Sequence, residues 1–200
     1  MNTAPPVNTA PPVTRQPAAP APWHQHDRTI LLDTPSYLIH RDRVTRPDGT
    51  EGAFEFHQAR VDGALTVAVD DRGRIAMVRY RSYVHGEVLT PPGGGLEPGE
   101  DPLEGARREL KEESGITAAS WRPLGETALM TRSTARLHMF LARDLTLGRQ
   151  EPTGTETGMT VEWWPLEDAV AAAMDGRLLL SGAVMSVLMA ARALDAAGRA

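Results

Sequence analysis

Between Gly93 and Ile116 the chain reads GGGLEPGEDPLEGARRELKEESGI, three glycines followed by seven acidic residues. Glu109 and Glu113 are four positions apart, and Glu112 is three after Glu109. On a helix the three carboxylates share about a third of the circumference. Like charges at that spacing destabilise an isolated helix by a few tenths of a kcal/mol per pair. An all-oxygen cluster of this kind suits a hard divalent cation, Mg²⁺ or Mn²⁺. The competing reading is an ordinary solvated acidic face.

The segment carries its own helix signals. Asp101 is placed as an N-cap, Pro102 as the first helical residue, and Glu104 completes the Asp variant of a capping box. Gly115 supplies a left-handed stop, followed by an apolar Ile116. These signals predict a helix over 102–114, with Leu103, Ala106 and Leu110 as the stripe that packs on a sheet.

The elements that must position this helix are legible in outline. Residues 1–22 are almost wholly Pro, Ala, Thr, Val and Asn, with NTAPPV repeated at 2–7 and 8–13. Proline removes backbone donors and little bulky apolar surface is present, so residues 1–24 are expected to form a disordered tail ahead of one domain at 25–198. From Thr29, runs such as TILLD, SYLIHRDRV, AFEFHQARV, LTVAVDD and RIAMVRYRSYV alternate with the turn signals RPDGT, VDG and DDRG. They predict a meander of antiparallel strands. Two further strands are expected at 121–130 and 135–142, then a Gly/Thr-rich loop, a strand VEWWPL, and Ala-rich helices at 166–175 and 181–197. Strands and helices mix without strict alternation, which argues an α+β fold.

The spacing from Gly94 through Glu100, Arg108-Glu109-Leu110 and Glu112-Glu113 to Gly115-Ile116 resembles the Nudix box, with every fixed position filled. The resemblance implies a Nudix fold, an α/β/α sandwich with a mixed central sheet and an N-terminal antiparallel strand region. It also implies metal-dependent hydrolysis of the pyrophosphate of a nucleoside diphosphate linked to another group. By the same resemblance Glu109 and Glu113 are metal ligands, Glu112 shares their cluster, and the carbonyl of Gly93 adds a ligand. Arg108 and Glu100 hold the carboxylates in register. Gly93, Gly94 and Gly95 let backbone approach the ligand.

The RIAMVRYRSYV and ARLHMFLARDL segments and the C-terminal stretch are similar to the ADP-ribose and nucleotide-sugar pyrophosphatase branch. That branch implies a phosphate contact from Arg81, with Arg79 as alternative. It also implies a base or extra metal ligand on the loop QEPTGTETGMT, where Glu156 is the first candidate, Glu151 the second and Glu162 the third. Arg132, Ser133 and Thr134 are candidates for a phosphate or sugar contact. Two departures bear on substrate: ALMTRSTARLH has no proline where the branch carries one, and Thr90 stands where a glutamate is common. A nucleotide-sugar is therefore as reasonable as ADP-ribose. A homodimer is usual for the branch.

Composition bounds the rest. The net charge of −5 argues against a general nucleic-acid-binding surface. The absence of cysteine excludes disulfides, a thiolate nucleophile and Cys-ligated zinc, and with them the isoprenoid diphosphate isomerase reading, which uses a catalytic cysteine. No apolar run reaches the roughly 18 residues that span a bilayer, and no export signal is seen, so a cytoplasmic location is expected. The six histidines show no metal-ligand spacing. Tyr80, Trp23, Trp163 and Trp164 offer faces for stacking on a base, with core packing the default for Trp163 and Trp164. The alternative to an enzyme is a non-catalytic Nudix-fold sensor that binds a nucleotide-sugar.

Overall fold

A computed structural model describes residues 22–150 and 158–197. Most of the expected tail lies outside the described residues. Its last positions do not, since strand β1 (His24–Asp33) starts at His24. The chain divides into two compact units, 1–29 with 41–54 and 30–40 with 55–200. β1 forms a three-stranded sheet with β2 (Tyr37–Thr45) and β3 (Glu51–Ala59), in the order β1-β2-β3.

Within the first unit, Arg28 grips Asp42 through two bonds of 2.8 Å, and Arg43 pairs with Asp27 at 2.8 Å. Trp23 meets Phe54 edge-on at 5.4 Å. The RPDGT signal becomes the β2–β3 turn, with Gly49 at φ 85° and the Arg46 amide donating to the Thr50 carbonyl at 2.8 Å.

The second unit holds two sheets. One runs β7-β4-β9-β8, where β4 is Gly63–Ala68, β7 is Gly93–Gly95, β8 is Ile116–Ala128 and β9 is Arg136–Leu147. The other runs β10-β5-β6, with β5 Arg74–Ser82, β6 Gly86–Thr90 and β10 Thr160–Pro165. The expected meander therefore breaks after β3. β4 does not pair along its length with β5; it lies parallel to β9 and antiparallel to β7. A strand so placed is covered on both faces, and five of its six residues are buried. Leu65 and Val67 point to the side of α2 (Leu166–Met174) and α3 (Ser181–Ala197). Ala64 and Ala68 point to the side of α1 (Pro102–Ser114). β9 and β5 alternate in the same way: Met139, Leu141, Ile75 and Met77 go to one side, Phe140, Ala142 and Ala76 to the other. The result is a mixed sheet layer with α1 on one face and α2 and α3 on the other, an α/β/α sandwich. Among the described residues no helix is long and apolar enough to cross a membrane.

Candidate active site

Helix α1 begins and ends where its local signals place it. The Asp101 carboxylate accepts from the amides of Leu103 (2.9 Å) and Glu104 (3.3 Å), and Gly115 closes the helix at φ 70°. Its packed face is set by 105/106, 109/110 and 113/114, one turn apart. Ala106 and Leu110 fill the core. Glu109 and Glu113 ride the same face, so each carboxylate is only 5% exposed.

The triple glycine lies opposite. β7 pairs with β4 through Gly63↔Gly95, Ala64↔Gly94 and Leu65↔Gly93. Gly93 sits at φ 153°, and a Cβ there would overlap the Ala64 carbonyl oxygen. At Gly94 a Cβ would stand 2.8 Å from the Glu109 carboxylate. Only glycine fits at 93 against the β4 backbone, and at 94 any side chain would push the Glu109 carboxylate from its place. The contact at Gly93 is made by its amide, which donates to Glu113 Oε2 at 2.7 Å.

Arg108 ties the remaining charges together. Its Nε and Nη2 fork onto Glu100 at 3.0 Å each, Nη1 reaches Glu109 at 2.8 Å and Glu112 at 3.2 Å, and Nη2 also donates to the Gly95 carbonyl at 3.0 Å. The guanidinium bonds, with the Glu97 amide, hold the Glu100 carboxyl below the ordinary glutamate range, and the same bonds raise Arg108. Glu112 thus joins the cluster through Arg108, part-exposed, and not by turning in beside Glu113.

Among the described residues no three His, Asp or Glu side chains converge tightly enough to hold a metal ion as they stand. The donor set nevertheless fits a hard divalent cation. Two buried carboxylates one turn apart offer only oxygen, and they face a glycine strand in which a Cβ at Gly94 would crowd Glu109.

The other predicted residues scatter. Arg79 is committed elsewhere: it forks onto Glu162 at 2.5 and 3.1 Å and bonds Glu87 at 2.8 Å, while Trp164 Nε1 donates to Glu162 at 2.8 Å. These acidic partners raise Arg79, and the bonds from Arg79 and then Trp164 hold the Glu162 carboxyl below its ordinary range. Arg81 is exposed, and by strand alternation it shares the face of Arg79 and Met77. Arg132, in the β8–β9 connection, donates to the Glu55 carbonyl at 3.3 Å. Glu156 and Glu151 lie outside the described residues.

The residue that does face the site from β5 is Tyr80, which lines one cavity with Gly93 and Gly94. Burial and the nearby Glu113 charge push its phenol pKa up. The period-2 alternation around the two arginines was the signal for it. Sequence reasoning named Tyr80 as a face for stacking on a base but missed Gln150, whose side-chain amide donates to the Glu113 carbonyl at 2.5 Å. No local signal marks a contact across 37 positions.

Residues 59–179 match the NUDIX domain family. The chain is 33% identical over 157 residues to an ADP-ribose pyrophosphatase of Mycobacterium tuberculosis, covering 76% of this chain and 75% of that protein. It is 33% identical over 173 residues to a CMP-5'-(N-acetyl-N-hydroxy-3-aminopropyl)phosphonate hydrolase of Streptomyces rubellomurinus, covering 83% and 81%. A crystal structure of an ADP compounds hydrolase superposes with a TM-score of 0.81 over 92% of this chain and 100% of that one, at 17% identity, a likeness of fold.

Proposed function

The chain belongs to the NUDIX domain family and is a pyrophosphohydrolase of that family, and we propose that it cleaves ADP-ribose or a nucleotide-sugar to a nucleoside monophosphate and a sugar phosphate with Mg²⁺ or Mn²⁺. One observation carries the reading: Glu109 and Glu113 are buried together against the glycine strand. The M. tuberculosis relative, named for its action on ADP-ribose, supports the substrate class.

In this reading Glu109 and Glu113 hold the cation. A divalent ion held there would neutralise phosphate oxygens and acidify an attacking water. Arg108 keeps Glu109 and Glu112 apart in fixed directions, and Glu100 anchors Arg108 from the loop. The Gly93 amide fixes one Glu113 oxygen. Glu156 is the candidate base. The Nudix domain spans 25–198, preceded by a tail at 1–24. A homodimer and a cytoplasmic location complete the reading; the run of exposed Ile30, Leu31 and Leu32 on β1 supports the former.

The purified protein with Mn²⁺ or Mg²⁺ should release a nucleoside monophosphate from a panel of ADP-ribose and nucleotide-sugars, and EDTA should stop it. Glu113→Gln should lower kcat at least about a hundredfold, roughly 2.7 kcal/mol of barrier. Native protein inert across the panel, or a variant as active as native, would overturn the assignment.

A further inference from the structure

A cavity of about 270 Å³ opens beside the paired carboxylates, sharing Gly93 and Gly94 with them. Leu65 and Leu137 form its walls with the Tyr80 ring, and Leu129 stands at its edge. Among the described residues that line it, none is charged and none is histidine. Among the lining residues, Tyr80, Thr90 and Ser181 carry a side-chain hydroxyl. That of Thr90 is already committed, donating to the Pro91 carbonyl at 3.1 Å.

We propose that this cavity is the subsite for the nucleobase end of the diphosphate substrate, and that Tyr80 is the residue that selects for it. The inference rests on the pyrophosphohydrolase reading above. A sugar presents hydroxyls around its whole ring. In a wall of leucines most of these would lose water without gaining a partner, which is costly. A nucleobase confines its polar atoms to the edge and offers two apolar faces. The faces suit Leu65, Leu137 and the Tyr80 ring, and the edge suits the Tyr80 and Ser181 hydroxyls. Ligand pockets usually span about 300–1,000 Å³. This smaller cavity fits one ring system, not a whole nucleotide, so the diphosphate is left lying over Gly93 and Gly94 toward Glu109 and Glu113. Tyr80 lines the cavity together with Gly93 and Gly94, so its phenol stands between the base and the glycine strand.

Isothermal titration calorimetry with Mn²⁺ tests this, with AMP, GMP, CMP, UMP and ribose 5-phosphate as probes. At least one nucleoside monophosphate should bind about tenfold or more tightly than ribose 5-phosphate. Tyr80→Ala should reduce that ratio to about one while leaving ribose 5-phosphate affinity unchanged, and Tyr80→Phe should restore most of it. Leu129→Asp, at a position 42% exposed where folding tolerates charge, should also collapse the ratio. Equal affinity of native protein for all five probes, no measurable binding of any, or a preference that survives both Tyr80→Ala and Leu129→Asp would overturn the subsite. The two readings fail separately. A protein that hydrolyses the panel without any base preference refutes the subsite alone, whereas a protein that prefers monophosphates but turns nothing over refutes the reaction.

Discussion

Replacing Gly115 with alanine should cost far more than replacing Gly176, although both adopt left-handed dihedrals, φ 70° and φ 84°. An alanine in that region costs about 1–2 kcal/mol at either position. The surroundings differ. At Gly176 a Cβ would meet nothing within 4 Å. At Gly115 it would stand 2.6 Å from the Arg149 carbonyl carbon, 2.7 Å from the Gln150 nitrogen and 2.8 Å from the Gly148 oxygen. These are backbone atoms and cannot swing aside, so the segment 148–150 must lift off the end of α1. Lifting it breaks the bond from the Gly148 amide to the Gly115 carbonyl (2.8 Å) and that from Gln150 to the Glu113 carbonyl (2.5 Å). At about 1 kcal/mol each, the loss adds roughly 2 kcal/mol to the dihedral strain. For a chain of this size each kcal/mol is about 2–4 °C in Tm, so Gly115→Ala should melt roughly 4–8 °C below Gly176→Ala. Thermal unfolding followed by circular dichroism measures the difference. Asparagine tolerates the left-handed region but still carries a Cβ. Equal melting of the two alanine variants, or recovery of native stability by Gly115→Asn, would refute the steric account and leave only the dihedral.

Two further outcomes follow from the ion-pair geometry. Arg108→Lys keeps the charge but loses the fork onto Glu100, so kcat should fall about tenfold or more while the far-ultraviolet spectrum stays native; unchanged kcat would show that the planar contacts do not matter. Glu162 is depressed first by its bonds from Arg79 and then by that from Trp164, so the stability it contributes is present above its unfolded pKa of about 4.3 and is lost as pH falls through its lower folded value. With both partners about a third exposed (33% and 32%), Glu162→Gln should cost roughly 1 kcal/mol at pH 7. The gap in Tm should close below about pH 4, and a gap that stays constant down to pH 3 would count against the pair.

What the sequence disclosed was local. Asp101, Pro102 and Gly115 act within a turn of where they stand, so the limits of α1 follow from residue type alone. The alternation that buries Ile75 and Met77 on one side and Ala76 on the other is equally local. Partner choice was not. β4 and β9 pair in parallel across more than seventy positions, and nothing in LTVAVDD distinguishes that arrangement from a hairpin with β5. The same limit explains Arg79. Its identity suits a phosphate contact, but its occupation depends on Glu162, which arrives from β10, 83 positions later. Gly93–Gly95 carries no side chains, and so no strand pattern, yet it pairs with β4 because glycine alone can lie against both that strand and Glu109.

The charge balance around α1 links the glycine strand to the reaction. Glu100, Glu109, Glu112 and Glu113 bring four formal negative charges, and Arg108 returns one positive charge, leaving −3. A guanidinium fixes directions as well as charge: its fork points at Glu100 and its third nitrogen lies between Glu109 and Glu112. Glu113 is turned the other way, toward the Gly93 amide. Arg108 therefore offsets repulsion among Glu100, Glu109 and Glu112. Two formal positive charges there would bring the cluster from −3 to −1, close enough to neutral for an anionic diphosphate to approach. At Gly94 a Cβ would crowd the Glu109 carboxylate, so glycine there leaves that carboxylate in place on the buried face it shares with Glu113.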